Sequence, residues 1–111
     1  MTSIFSKIIS GELPADKVFE NERIVAIKDL YPKAPVHILI IPKKEIADLQ
    51  SVKEEDLPLI GEVIKVAQTL ANRYDITNGY RLLTNNGPLS GQTIFHLHFH
   101  LLGGHKLGGM A

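Results

Sequence analysis

The residues best suited to chemistry stand together near the C-terminal end. Phe95-His96-Leu97-His98-Phe99-His100-Leu101 alternates an apolar residue with a histidine. In an extended strand, residues i, i+2 and i+4 share a face. The spacing predicts that His96, His98 and His100 point one way over roughly 13 Å, with Phe95, Leu97, Phe99 and Leu101 turned into the core. An exposed strand face ordinarily carries Thr, Lys, Glu or Ser, so three imidazoles there ask for a chemical reason.

Two such reasons fit. A His-x-His pair can chelate a metal ion, with His37 from another predicted strand as a third ligand. Against this, the outer histidines are too far apart to share one ion, and no Cys, Asp or Glu accompanies them in the strand. The other reason is catalysis by imidazole itself. A neutral histidine is a nucleophile near pH 7, and its neighbours can fix its tautomer and supply protons. A central histidine flanked by two others suits displacement at phosphorus through a labile P–N intermediate, and this reading needs neither metal nor cofactor. The preceding segment supports it. Asn85, Gly87, Gly91, Gln92 and Thr93 can bring backbone amides and short polar side chains close to an anion.

The elements that must position these residues are legible in outline. Ser3 caps a short helix bearing Ile4, Phe5, Ile8 and Ile9, with Gly11 as its stop. Lys17–Glu20 and Arg23–Lys28 read as a hairpin around Asn21-Glu22. Pro32 and Pro35 make 29–35 a loop, and His37 to Ile41 a buried strand ended by Pro42. Ser51-Val52-Lys53-Glu54 has capping-box spacing. Leu57, Ile60, Val63, Ile64, Ala67, Leu70, Ala71 and Tyr74 follow as one helical stripe. Tyr80 to Asn85 and Ile94 to Leu102 complete five strands. The class expected is α+β, a mostly antiparallel five-stranded sheet with one long and one short helix.

Composition removes other functions. With 111 residues, one domain spanning 1–111 is expected. Lys+Arg 12 balance Asp+Glu 12, so no broad field attracts nucleic acid or an anionic membrane. The absence of cysteine excludes a disulfide framework and thiolate metal sites. A cytoplasmic protein is expected. As pH falls toward 6, the site histidines are expected to gain charge and activity to fall.

Residues 91–102, Gly-Gln-Thr-Ile-Phe-His-Leu-His-Phe-His-Leu-Leu, resemble the signature of the histidine triad (HIT) family. The Gly-Gln-Thr start and the pair Gly103-Gly104 resemble its Hint branch, the purine nucleoside phosphoramidases. The likeness extends to Ile4-Phe5-Ser6-Lys7-Ile8-Ile9, Leu13-Pro14-Ala15, Asp29-Leu30, Ala34-Pro35-Val36-His37 and Ile41-Pro42-Lys43-Lys44. His105 stands where an arginine is common, and the end lacks the Trp-Pro-Pro of many relatives. His105 is expected to face solvent.

The resemblance implies a HIT-like domain whose sheet continues across a homodimer. It implies a small-molecule purine nucleotide substrate, cleaved through a covalent nucleotidyl-histidine. By that likeness His98 is the nucleophile, His100 contacts phosphate and helps protonate the leaving group, and His96 and His37 orient and polarise the nucleophile. Asn85, Gly91, Gln92 and Thr93 lie on the phosphate side, and Asp29 binds ribose hydroxyls. Ile4, Phe5, Ile8, Leu13, Ile27 and Leu30 form an apolar purine slot. Two other activities fit the same likeness: dinucleoside polyphosphate hydrolysis or nucleotidyl transfer, and nucleotide binding with weak chemistry.

Overall fold

The computed structural model describes residues 3–110. Local chemistry sets the ends of its elements. Helix α1 (Ile4–Ser10) starts where the Ser3 hydroxyl accepts the Ser6 amide, and stops at Gly11, which takes φ 87°. Strands β1 (Lys17–Glu20) and β2 (Ile24–Lys28) form the expected hairpin. Its turn is tied by the Asn21 side chain, which accepts the amides of Arg23 and Ile24. β3 (Val36–Pro42), β4 (Tyr80–Leu83) and β5 (Phe99–Gly103) complete a sheet of order β1-β2-β3-β5-β4. Every neighbouring pair is antiparallel.

The two faces of this sheet are covered unequally, and the site follows from that. Helix α2 (Leu57–Arg73) lies over one face. There Val63, Val66, Ala67, Leu70 and Ala71 pack on Ile24, Ala26, Ile38, Ile40, Leu97, Phe99 and Leu101. On the other face α1 contributes Phe5 and Ile8 to a smaller cluster with Val25, Ile27, Leu39 and Ile41. A helix of 7 residues reaches only about 10 Å. Part of that face is therefore left open, and His37, Leu39 and His100 lie on it by strand alternation.

Several expected boundaries move. The capping box at Ser51 and Glu54 does not form. Ser51 ends a 3-10 turn capped by Asp48, and a second turn, Glu54–Asp56, leads into α2 with Asp56 accepting the Lys53 amide. Leu57 and Ile64 leave the buried stripe and stand 56% and 49% exposed, while Val66 enters it. Asn85 lies beyond β4, and the last strand is half its expected length. Residues 94–98 are outside the ladder, because the groups that could continue it are used otherwise: the Pro42 carbonyl accepts from His96 Nε2, and Thr84 Oγ1 donates to the His98 carbonyl. Alternation holds from Leu97 to Leu101 and fails before it. Phe95 is 50% exposed and His96 is 0% exposed. His96 lies on the α1 side of the sheet with His98 and His100, but it is covered by α1 and stands outside the ladder.

Candidate active site

The open part of the sheet forms a cleft of about 470 Å³. Its floor is apolar: Ile27 and Leu39 from the strands, Ile4, Phe5 and Ile8 from α1. Asp29, Leu30 and Tyr31 line the cleft together with Asn85, Gly91, Gln92, Thr93, Ile94, His98 and His100. Three residues expected in the site do not line the cleft. Leu13 sits past α1, held by its amide on the Lys7 carbonyl. His96 is sealed under α1, and His37 faces a separate small hollow beneath the 29–35 loop. Lys28, Tyr31, Leu39 and Ile94 line the cleft unanticipated. Leu39 was within reach of sequence reasoning, since it follows His37 by two along one strand.

The protons of the histidines can be placed from partners that allow one role only. The Lys33 amide donates to His37 Nδ1 at 3.0 Å. His37 therefore carries its proton on Nε2 and donates it to His100 Nδ1 at 2.9 Å. That leaves His100 with its own proton on Nε2. His98 donates Nδ1–H to the His96 carbonyl at 2.8 Å, so its Nε2 holds the lone pair. His96 donates Nε2–H to the Pro42 carbonyl at 2.7 Å. The two supporting histidines act by different routes. The His37 ring serves His100, and His96 reaches the nucleophile candidate through its backbone carbonyl, its ring pointing away.

Burial governs the charge state. Loss of water pushes His98 below its ordinary value, more than the His96 carbonyl raises it. His100 is pushed down to about 4, by burial first and then by His98 and His37. His37 is lowered as well, by burial, against the pull of Asp29. All three rings thus hold a second proton less tightly than an ordinary imidazole, His100 least of all. The exposed His105 alone among the five histidines lies out in solvent as expected.

Asp29 and Gln92 have definite local tasks. Asp29 Oδ1 accepts the Tyr31 amide at 2.7 Å, turning the loop so that Oδ2 lies 3.5 Å from His37 Nε2. The Gln92 side chain is fully engaged: Nε2 donates to Ala47 and Ile94 carbonyls, and Oε1 accepts the Gly87 amide. It builds the 86–94 loop, and its backbone amide is engaged there as well, donating to the Gly87 carbonyl. Asp29, His37 and His100 offer donor atoms within 4.8 Å of one another, the only grouping among the described residues suited to an ion. An ion there would have to displace the proton between the two rings. A His96-x-His98 chelate does not fit, because both His96 nitrogens have protein partners.

The arrangement has counterparts. The family model for the HIT domain matches residues 10–107. A HIT-like protein of Chlamydia trachomatis is 52% identical over 111 residues, covering 100% of each chain. Among solved structures, a HIT family hydrolase from Clostridium thermocellum matches with a TM-score of 0.94 at 46% identity, covering 98% of this chain and 96% of that one. Another, from Legionella pneumophila, gives 0.94 at 42% identity and covers 96% of each.

Proposed function

The chain belongs to the HIT domain family, and from that premise we propose that it hydrolyses purine nucleoside 5′-phosphoramidates, as the Hint branch does. The observation carrying this reading is the His98 ring, neutral, with Nδ1–H held on the His96 carbonyl and its lone pair left at Nε2. Nε2 attacks phosphorus, and the bond from phosphorus to the substrate's amine breaks. The amine departs with a proton from solvent. As His98 becomes cationic, its Nδ1–H bond to the His96 carbonyl strengthens, an interaction larger in the transition state than before it. Water then attacks phosphorus, the P–N bond to His98 breaks, and AMP and a proton are released.

His100 acts in this scheme as a neutral donor. Its Nδ1 already faces the His37 Nε2–H, so a second proton has no place there. Its Nε2–H supplies a hydrogen bond to the phosphoryl group, and the expected role as proton source for the leaving amine passes to solvent. Asp29 takes the ribose hydroxyls as acceptor, and the apolar floor takes the base. Lys28 is the one lysine or arginine lining the cleft among the described residues. So sparse a positive charge favours a single phosphoryl group over a polyphosphate bridge.

The same reading includes a homodimer. β4 is an edge of the sheet, and α2 exposes Leu57 and Ile64. The opposite edge, β1, is guarded by Lys17, Glu20 and Lys43 in ion pairs, a common defence against pairing. β4 is therefore the edge we propose to continue into a partner copy. A cytoplasmic setting suits a chain without cysteine, and no helix among the described residues is long and apolar enough to cross a membrane.

The test is turnover of an adenosine 5′-phosphoramidate carrying a fluorescent amine. Wild type should release the amine, His98→Ala should not, and exhaustive chelation should leave the rate unchanged. Equal rates in both proteins, or none in wild type, would overturn the proposal. Faster cleavage of a diadenosine polyphosphate would move the chain to the other hydrolytic activity of the family.

A further inference from the structure

Helix α1 is joined to the histidine segment by a bond that packing does not require. The buried His96 ring gives its Nε2–H to Pro42, so its Nδ1 must accept, and the Ser3 hydroxyl donates to it at 2.9 Å. The same Ser3 oxygen accepts the Ser6 amide at 3.0 Å, which is the cap of α1. Ser6 is committed elsewhere, donating its hydroxyl to Glu45 at 2.8 Å. Two residues after Ser3, the Phe5 ring meets His98 edge-on, with centroids 4.9 Å apart.

We propose that Ser3 is a positioning residue for His98, acting through His96. Its hydroxyl proton fixes the tautomer and rotation of the buried His96 ring. That holds the attached backbone, and with it the carbonyl that receives His98 Nδ1–H. The inference rests on His98 being the nucleophile, and adds the residue that aims it. Ser3 performs two tasks with different atoms, the cap with a lone pair and the aim with a proton, so substitution can separate them. Thr keeps both. Asp is an equally good cap without a proton, and Gly is nearly as good a cap and also lacks the proton.

The experiment pairs nitrogen-15 NMR of the histidine rings with steady-state kinetics on the adenosine phosphoramidate. In wild type and Ser3→Thr, His96 should be protonated at Nε2 alone and His98 at Nδ1. Ser3→Asp and Ser3→Gly should change the His96 Nδ1 signal and speed exchange of the His98 Nδ1 proton. In both, kcat should fall about tenfold with KM nearly unchanged, the scale of a small misalignment. Wild-type ring signals and kcat in Ser3→Asp and Ser3→Gly would overturn the proposal, as would an equal loss in Ser3→Thr. If wild type fails to turn the substrate over, the proposed function falls, while the ring signals still decide the part played by Ser3.

Discussion

His37 Nε2 donates its proton to His100 Nδ1 across 2.9 Å, and the Lys33 amide on His37 Nδ1 fixes the direction of that bond. The relay keeps His100 neutral. In His37→Leu the neighbouring imidazole that lowers it is gone, and His100 should titrate higher than the value of about 4 it has in wild type. Proton NMR titration of the His100 ring checks this; an unchanged midpoint would contradict the relay.

Folding stability should carry the same signature. The unfolded chain binds a proton at His100 near 6.5, the folded chain at about 4. Between those values the unfolded state holds more protons, so stability is full above 6.5 and declines as pH falls toward 4. His100 alone contributes at most about 3 kcal/mol of that decline. Urea midpoints measured from pH 7.5 to 4.5 should drop. Midpoints that stay level would argue that His100 is not buried neutral.

Activity at low pH follows His98. Its proton affinity is lowered by burial, so Nε2 remains free below 6.5 and is lost only as pH falls through the depressed value. The acid limb of kcat/KM should therefore have its midpoint below 6.5. A midpoint at or above 6.5 would mean an ordinary, solvated histidine.

The histidines also show where the amino-acid pattern was sufficient. Alternation placed Leu97, Phe99 and Leu101 against α2 and His98 and His100 on the opposite face, because those residues lie in or beside the β5 ladder. It misplaced Phe95, since a period of two assumes continuous pairing and 94–98 pairs with nothing regular. What positions that segment is long-range and polar: the Ile46 carbonyl accepts the Leu97 amide, the Pro42 carbonyl accepts the His96 ring N–H, and the Thr84 hydroxyl donates to the His98 carbonyl. No local spacing encodes such contacts. The glycine pair has a physical reason of its own. A side chain at Gly103 would meet Ile76 Cδ1 at 2.9 Å, and Gly104 takes φ +100° with Pro35 Cβ 2.9 Å from where its own would be. Packing at the end of β5 thus requires both glycines, whichever substrate the cleft takes.

That packing is itself testable. Gly104→Ala combines a disfavoured backbone angle with the Pro35 clash, and should destabilise by about 1–3 kcal/mol. Chemical denaturation would measure it. Wild-type stability would show that the 34–36 segment gives way freely.

Asp29 separates binding from chemistry. Asn at this position can still accept the Tyr31 amide, but lacks the charge that makes a strong acceptor for two ribose hydroxyls. Asp29→Asn should raise KM for a ribonucleotide substrate several-fold with kcat largely kept. A loss confined to kcat would place Asp29 with the His37 relay and not with the sugar.

The central claim is a bond from phosphorus to one nitrogen. Wild type mixed with an adenosine phosphoramidate, quenched in alkaline denaturant within a turnover, should show by mass spectrometry a fraction of protein heavier by one adenylyl group. Peptide mapping should place the group on His98, and His98→Ala should carry none. Full turnover with no such adduct, or an adduct that persists in His98→Ala, would contradict the account.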